Sequence, residues 1–190
     1  MSTTATTLAV IVLVLIVVAA VVAGVSRHRR TQELRSRFGP EYDRAVADQP
    51  SRRAAERNLQ HREQRHDNLE LHDLDPGQRQ LYSEQWQRTQ AHFAEEPQAA
   101  TREADELVTR VMSDRGYPVD DFNTKVEDLS VEHAETIGHY REAHEISEYN
   151  ERGLASTEQL RQALMHYRAL FADLLGDAGR GGGRPATGHG

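Results

Sequence analysis

The sequence predicts an all-α chain: a single N-terminal transmembrane helix, a charged juxtamembrane stalk and a small helical-bundle domain. Three observations carry that expectation. Every residue from 8 to 25 except Gly24 is apolar. Proline and glycine punctuate the remainder into segments whose apolar residues recur at the helical period. Stretches that alternate apolar and polar residues, the mark of a strand, do not stand out anywhere.

The run LAVIVLVLIVVAAVVAGV is 18 residues long, about 27 Å of helix, against a bilayer core of about 30 Å. A cleaved signal peptide is the rival, with Val21 and Ala23 as a small-residue cleavage site. Against it, no Lys or Arg precedes the run, and Arg27, Arg29 and Arg30 follow it at once. Arg35 and Arg37 extend this basic fringe. The positive-inside rule then puts residues 1–7 outside and the large C-terminal part in the cytoplasm. The same five arginines are candidates for the membrane surface, where each basic side chain gains about 1 kcal/mol on an anionic leaflet.

Outside the run, Leu, Ile, Val and Phe make up only about 15% of residues, little for a self-sufficient core. The chain carries a net charge of −7 and no cysteine. That excludes disulfides, a thiolate nucleophile and Cys-ligated metal centres. Charge is graded: 27–65 holds eleven Arg against six acids, whereas 66–179 holds ten basic residues against twenty-four acids. The acidic body argues against nucleic acid as a partner. An anionic inner leaflet and an unidentified protein are the expected partners.

The elements follow in order. Gly39-Pro40 breaks a juxtamembrane helix that starts near Thr31. Pro50 opens the next at its first turn; it runs to about Leu71, rich in Arg, and with it 26–74 is expected to be a solvated basic stalk. The domain, 75–176, starts with Asp75 as cap and Pro76 at the first helical position. Tyr82, Trp86, Thr89 and Phe93 then share a face. Pro97 starts a helix with the stripe Ala100, Ala104, Leu107, Val111 and Met112, ended by Gly116. A short helix over 120–127 bears Phe122 and Val126. Ser130 is expected to cap a longer one, in which His133, Ile137, Tyr140 and His144 share a face before Gly153. Ser156 and Gln159 form a capping box for a last helix with Leu160, Leu164, Tyr167, Phe171 and Leu174 on one side, ended by Gly176. The Gly-rich tail, 177–190, lacks an apolar cluster and is expected to be disordered.

The stretches FGPEYDRAV (38–46), DELVTRVMSDRGYPVDDF (105–122) and ASTEQLRQALMHYRALFADLL (155–175) resemble a family of bacterial membrane-anchored α-helical proteins of unknown function. The resemblance implies the limits of the domain and no catalytic residue.

Ten histidines raise metal binding, and with it a metal-dependent enzyme. His133, His139 and His144 are the candidates, although there is no HExxH and no pair of ExxH motifs on helices of the kind that builds di-iron bundles, and an i,i+4 pairing of His139 with Glu135, or of His144 with Glu148, equally suits a helix surface. Asp120 and Asp121 follow a Gly-Tyr-Pro turn, where capping already accounts for an aspartate. No P-loop or dinucleotide fingerprint and no GxSxG occurs, so no cofactor and no catalytic residue is expected. Tyr140, Tyr149 and Tyr167 could line a partner surface that completes a sparse core. The expectation is a non-enzymatic, single-pass membrane protein with a cytoplasmic helical adaptor domain; an extracytoplasmic helical protein is the alternative.

Overall fold

The structure, a computed structural model, describes residues 2–176, with side chains from residue 13 onward. The expected disordered tail lies outside the described residues. Among the described residues the fold is all-α, with eight helices and no strand: α1 Ser2–Phe38, α2 Pro40–Asp48, α3 Arg52–His66, α4 Pro76–His92, α5 Pro97–Asp114, α6 Phe122–Leu129, α7 Ile137–Glu151 and α8 Thr157–Leu174. The chain divides into two compact units, Met1–Leu59 and Gln60–Gly190.

In the first unit the apolar run and the juxtamembrane segment form one 37-residue helix rather than two. Thr31 offers no reason to stop, since no proline precedes it and the one glycine, Gly24, costs about 1 kcal/mol. The helix ends where Gly39 takes φ 45° and Pro40 begins α2. Side chains 13–25 are exposed, among them Leu13 at 61% and Val25 at 49%. Among the described residues no helix is long and apolar enough to cross a membrane, so the expected span finds no support there; positions 8–12 of the run lie outside the described side chains. Further on, Tyr42 is buried and its hydroxyl donates to Glu56 Oε1 at 2.9 Å, as does that of Thr31.

The second unit is built on α5, α7 and α8, which contact one another, with α4 against α5 and α6 against α7. Its core gathers Leu107, Val108, Val111 and Met112 from α5, Ile137 and Tyr140 from α7, and Leu164, Tyr167, Leu170, Phe171 and Leu174 from α8. Tyr82 and Trp86 join from α4, Trp86 stacking on Phe171 at 4.7 Å between ring centroids. The caps follow the sequence. Asp75 and Ser156 each accept from the backbone N–H three residues on, and Gln78 and Gln159 accept from the backbone N–H of the cap. Asp121 caps α6, accepting from Thr124 N–H at 2.9 Å; hydrogen bonds from the Thr124 side chain and then from its backbone hold the carboxyl below the usual range.

Four expectations are corrected. Ser130 closes α6 instead of opening α7: its hydroxyl donates to Glu127 O at 2.7 Å, and 131–136 forms turns before α7 starts at Ile137. The local signal for a cap is the same hydroxyl, and the turn at its C-terminal side decides between the two roles. α3 stops at His66 rather than Leu71, where Asn68 Nδ2 donates back to Gln64 O at 2.7 Å. Nor is 60–74 a solvated stalk. Leu69 and Leu71 pack on the core, Leu74 belongs to it, and Arg65 donates to the fully buried Asp128 at 2.7 Å and to Glu127 at 2.8 Å. Last, of the three tyrosines that could line a partner surface, Tyr140 is buried and Tyr167 lies in the buried stripe of α8 as its spacing predicts, so only Tyr149 is exposed.

Gly116 lets the non-helical leg at 69–75 pass close to the end of α5. It sits at φ 92°, closing α5 with Tyr117 N–H on Met112 O at 3.0 Å and its own N–H on Ser113 O at 2.9 Å, the Schellman arrangement. A Cβ there would stand 2.5 Å from Glu70 O, while His72 N–H donates to Arg115 O at 3.1 Å. Gly116→Ala is expected to destabilise the chain by about 1–3 kcal/mol through backbone strain, plus the cost of displacing the Glu70 carbonyl. Phe171→Ala removes a buried ring from the Trp86 stack and should cost about 3–5 kcal/mol. Urea unfolding of the full chain, followed by the fluorescence of its single tryptophan and by circular dichroism, measures both. A parent-like midpoint for either variant contradicts this packing.

Candidate functional site

The α7–α8 hairpin positions the polar residues of most chemical interest. α7 ends in a second Schellman arrangement: Gly153 has φ 71°, its N–H donates to Asn150 O and that of Leu154 to Tyr149 O, both at 2.9 Å. α8 then runs back along α7, so residues at similar distances from Gly153 meet. His139 and His166 lie fourteen and thirteen residues from it, and His133 and Asp173 each lie twenty away. Both pairs are in contact.

His139 Nδ1 stands 2.9 Å from His166 Nδ1, with ring centroids 5.0 Å apart and planes 24° from parallel. Glu142, one turn along α7 from His139, places Oε2 3.1 Å from Nε2 of His166. One donor atom from each of the three falls within 4.8 Å of the others. His139 and Glu142 are exposed and His166 is half-buried. With a neutral pair, one ring donates its N–H and the other accepts. Two nitrogens and a carboxylate oxygen are equally the donor chemistry of a first-row divalent metal.

The structure does not bring the expected trio together. His139 and His144 are five residues apart, about 140° around a helix. His144 stacks on Phe122 at 3.7 Å between centroids and faces Glu148 at 3.8 Å. His133 precedes α7 and is buried; its Nδ1 lies 2.8 Å from Asp173 Oδ2 and its Nε2 3.4 Å from the Tyr117 hydroxyl. The sequence reasoning missed His166, and the signal that could have found it is the mirror spacing about Gly153. The membrane-surface candidates Arg27, Arg29, Arg30, Arg35 and Arg37 are all exposed on α1; the Arg35 guanidinium lies over the Tyr42 ring, 5.1 Å from its centroid.

Burial dominates the phenols of the core. It pushes Tyr140 and Tyr167 well above the ordinary phenol value, with Asp105 adding to both. Tyr82 is pushed up to about 12 by burial and by donating to Asp114 at 2.6 Å. None of these phenols is poised to ionise near neutrality. Asp173 is the reverse case. Burial raises its carboxyl, but His133, the Thr136 hydroxyl donating at 2.6 Å and Arg115 together outweigh that and hold it below the usual carboxylate range.

No family model, curated protein or solved structure matches the chain.

A carboxylate held low in the folded state stabilises the fold above its unfolded value and loses that contribution as pH falls through the folded value. Asp173→Asn is therefore expected to lower the unfolding midpoint at neutral pH, and the gap to the parent should narrow below about pH 4. Urea unfolding at a series of pH values checks it. A gap that is constant with pH, or that widens in acid, contradicts the assigned role.

Proposed function

We propose that the protein is a non-enzymatic single-pass membrane protein, with its N-terminus outside and the unit beginning at Gln60 in the cytoplasm as an adaptor for a protein partner. The observation that carries this reading is α1. A helix apolar on all sides is stable only when buried in protein or lipid, and side chains 13–25 are exposed, with none of the described residues covering them. They account for about 20 Å of helix, and the apolar residues at 8–12 extend the run to about 27 Å. Immediately after it, at about 100° per residue, Arg27, Arg29, Arg30, Arg35 and Arg37 point in all directions around the same unbroken helix. A collar of that kind suits a headgroup layer better than a single interaction face does, and its charge favours the inner leaflet.

The adaptor part of the proposal rests on the acidic helical surface of the second unit. Tyr149 and Leu154 are exposed at the α7–α8 turn, with Arg152 over the Tyr149 ring at 4.7 Å. A partner with an apolar contact ringed by basic residues would complement it.

Two reporters joined after Leu175 test the topology. A fluorescent protein is expected to be bright and alkaline phosphatase silent, and the chain should resist extraction by alkaline carbonate. Changing Arg27, Arg29 and Arg30 together to Glu should invert a measurable fraction of molecules and raise phosphatase activity several-fold. Active phosphatase on the parent chain, or release of the parent by carbonate, overturns the proposal.

A further inference from the structure

We propose that His139, Glu142 and His166 form a binding site for a divalent transition-metal ion, with zinc the best match to the donors. The site is independent of where the chain resides. Its three residues come from two helices, and the geometry is fixed by elements that fold for other reasons. His139 and Glu142 are i and i+3 on α7, so they share a face. Ile137 and Tyr140, beside His139 in sequence, are buried in the core and set the rotation of α7. His166 is set in the same way by Leu164 and Tyr167, and the Gly153 turn fixes the register between the two helices.

The distances suit an ion. Zinc binds imidazole nitrogen at about 2.0–2.1 Å, so two donors on one tetrahedral ion stand about 3.3 Å apart. His139 Nδ1 and His166 Nδ1 stand at 2.9 Å, and opening by a few tenths of an ångström admits a metal in place of the shared proton. Glu142 lies 3.1 Å from the other nitrogen of His166. It can enter the coordination sphere by a rotamer change, or accept that ring's N–H and fix its tautomer, a common arrangement around metal-bound histidine. Either way it supplies negative charge to a cation. Three protein groups leave at least one position for water or an exogenous ligand, and the exposure of His139 and Glu142 leaves that position reachable.

No other histidine among the described side chains belongs to a comparable group of three. Bridging α7 and α8 also gives the ion a structural consequence. Metal bound only by the folded hairpin raises the unfolding temperature in proportion to the logarithm of its concentration above Kd.

The test is isothermal titration of zinc chloride into the untagged, metal-stripped full chain in detergent at about pH 7, with cobalt(II) as a spectroscopic stand-in. One equivalent of saturable binding is expected, with a tetrahedral cobalt spectrum and a zinc-dependent rise in Tm. His166→Ala and His139→Ala should each weaken binding at least tenfold and abolish the cobalt spectrum, and Glu142→Gln should weaken it at least about tenfold, the usual cost of losing an outer-shell partner. All three alter exposed or half-exposed side chains, so circular dichroism without metal should match the parent; His139→Gln serves as the alternative if an alanine variant does not fold. His61→Ala and His144→Ala should bind as the parent does. Absence of saturable binding, or binding that survives in folded His139 and His166 variants because other histidines supply it, overturns the proposal.

Discussion

Gly153 adopts a left-handed conformation between α7 and α8, and two backbone hydrogen bonds of 2.9 Å lock the chain reversal around it. The register of that reversal sets much of the second unit. It faces Tyr140 with Tyr167, whose rings meet edge-on at 6.2 Å, and it brings His133 and Thr136 to Asp173 and His139 to His166. α5 packs against both arms as well as against α4, so much of its own stripe, from Ala100 to Met112, is buried once the hairpin is in register. A residue with a Cβ at Gly153 would be strained in this conformation, and a slip of one residue would rotate each helical face by about 100°.

A chain so poor in Leu, Ile, Val and Phe outside its apolar run draws on two further residue types to fill its core. Alanines at 100, 104, 143 and 163 are wholly buried and let helices approach closely. Tyrosines supply the bulk, and their hydroxyls need partners inside. Tyr167 bonds to Ser147 at 2.9 Å, Tyr82 to Asp114 at 2.6 Å and Tyr117 to Glu132 at 3.3 Å. The high acidic content of this part of the chain thus has a structural use. Carboxylates anchor phenols, and at α6 they receive Arg65 of α3, which leaves buried Asp128 with a charged partner rather than alone.

Local chemistry made much of this legible in the sequence. The Asp75 cap, the Ser156 capping box, the Asp121 cap, the glycines that end α5, α7 and α8, and the stripe along α8 all follow from rules that act within a few residues. What stayed hidden depends on distant partners. Ser130 bonds backward because α6 ends there. Leu69 and Leu71 lie in a non-helical leg whose backbone reaches the end of α5, a contact that no pattern within 60–74 announces. His133, His139 and His144 stood out as neighbours in sequence, whereas contact in a hairpin pairs residues across its turn. His166 was overlooked for that reason, and Tyr140 could be read as a surface residue because its burial depends on the same pairing.

The register about Gly153 can be measured directly, because the chain contains no cysteine. Paired cysteines at His139 and His166, exposed to a short thiol-to-thiol crosslinker in the full chain, should join rapidly. Pairing His139→Cys with Gln162→Cys, about one helical turn away, should react far more slowly. Faster crosslinking of the 139–162 pair, or none at 139–166 in a folded variant, would contradict the hairpin on which the core and the histidine site both depend.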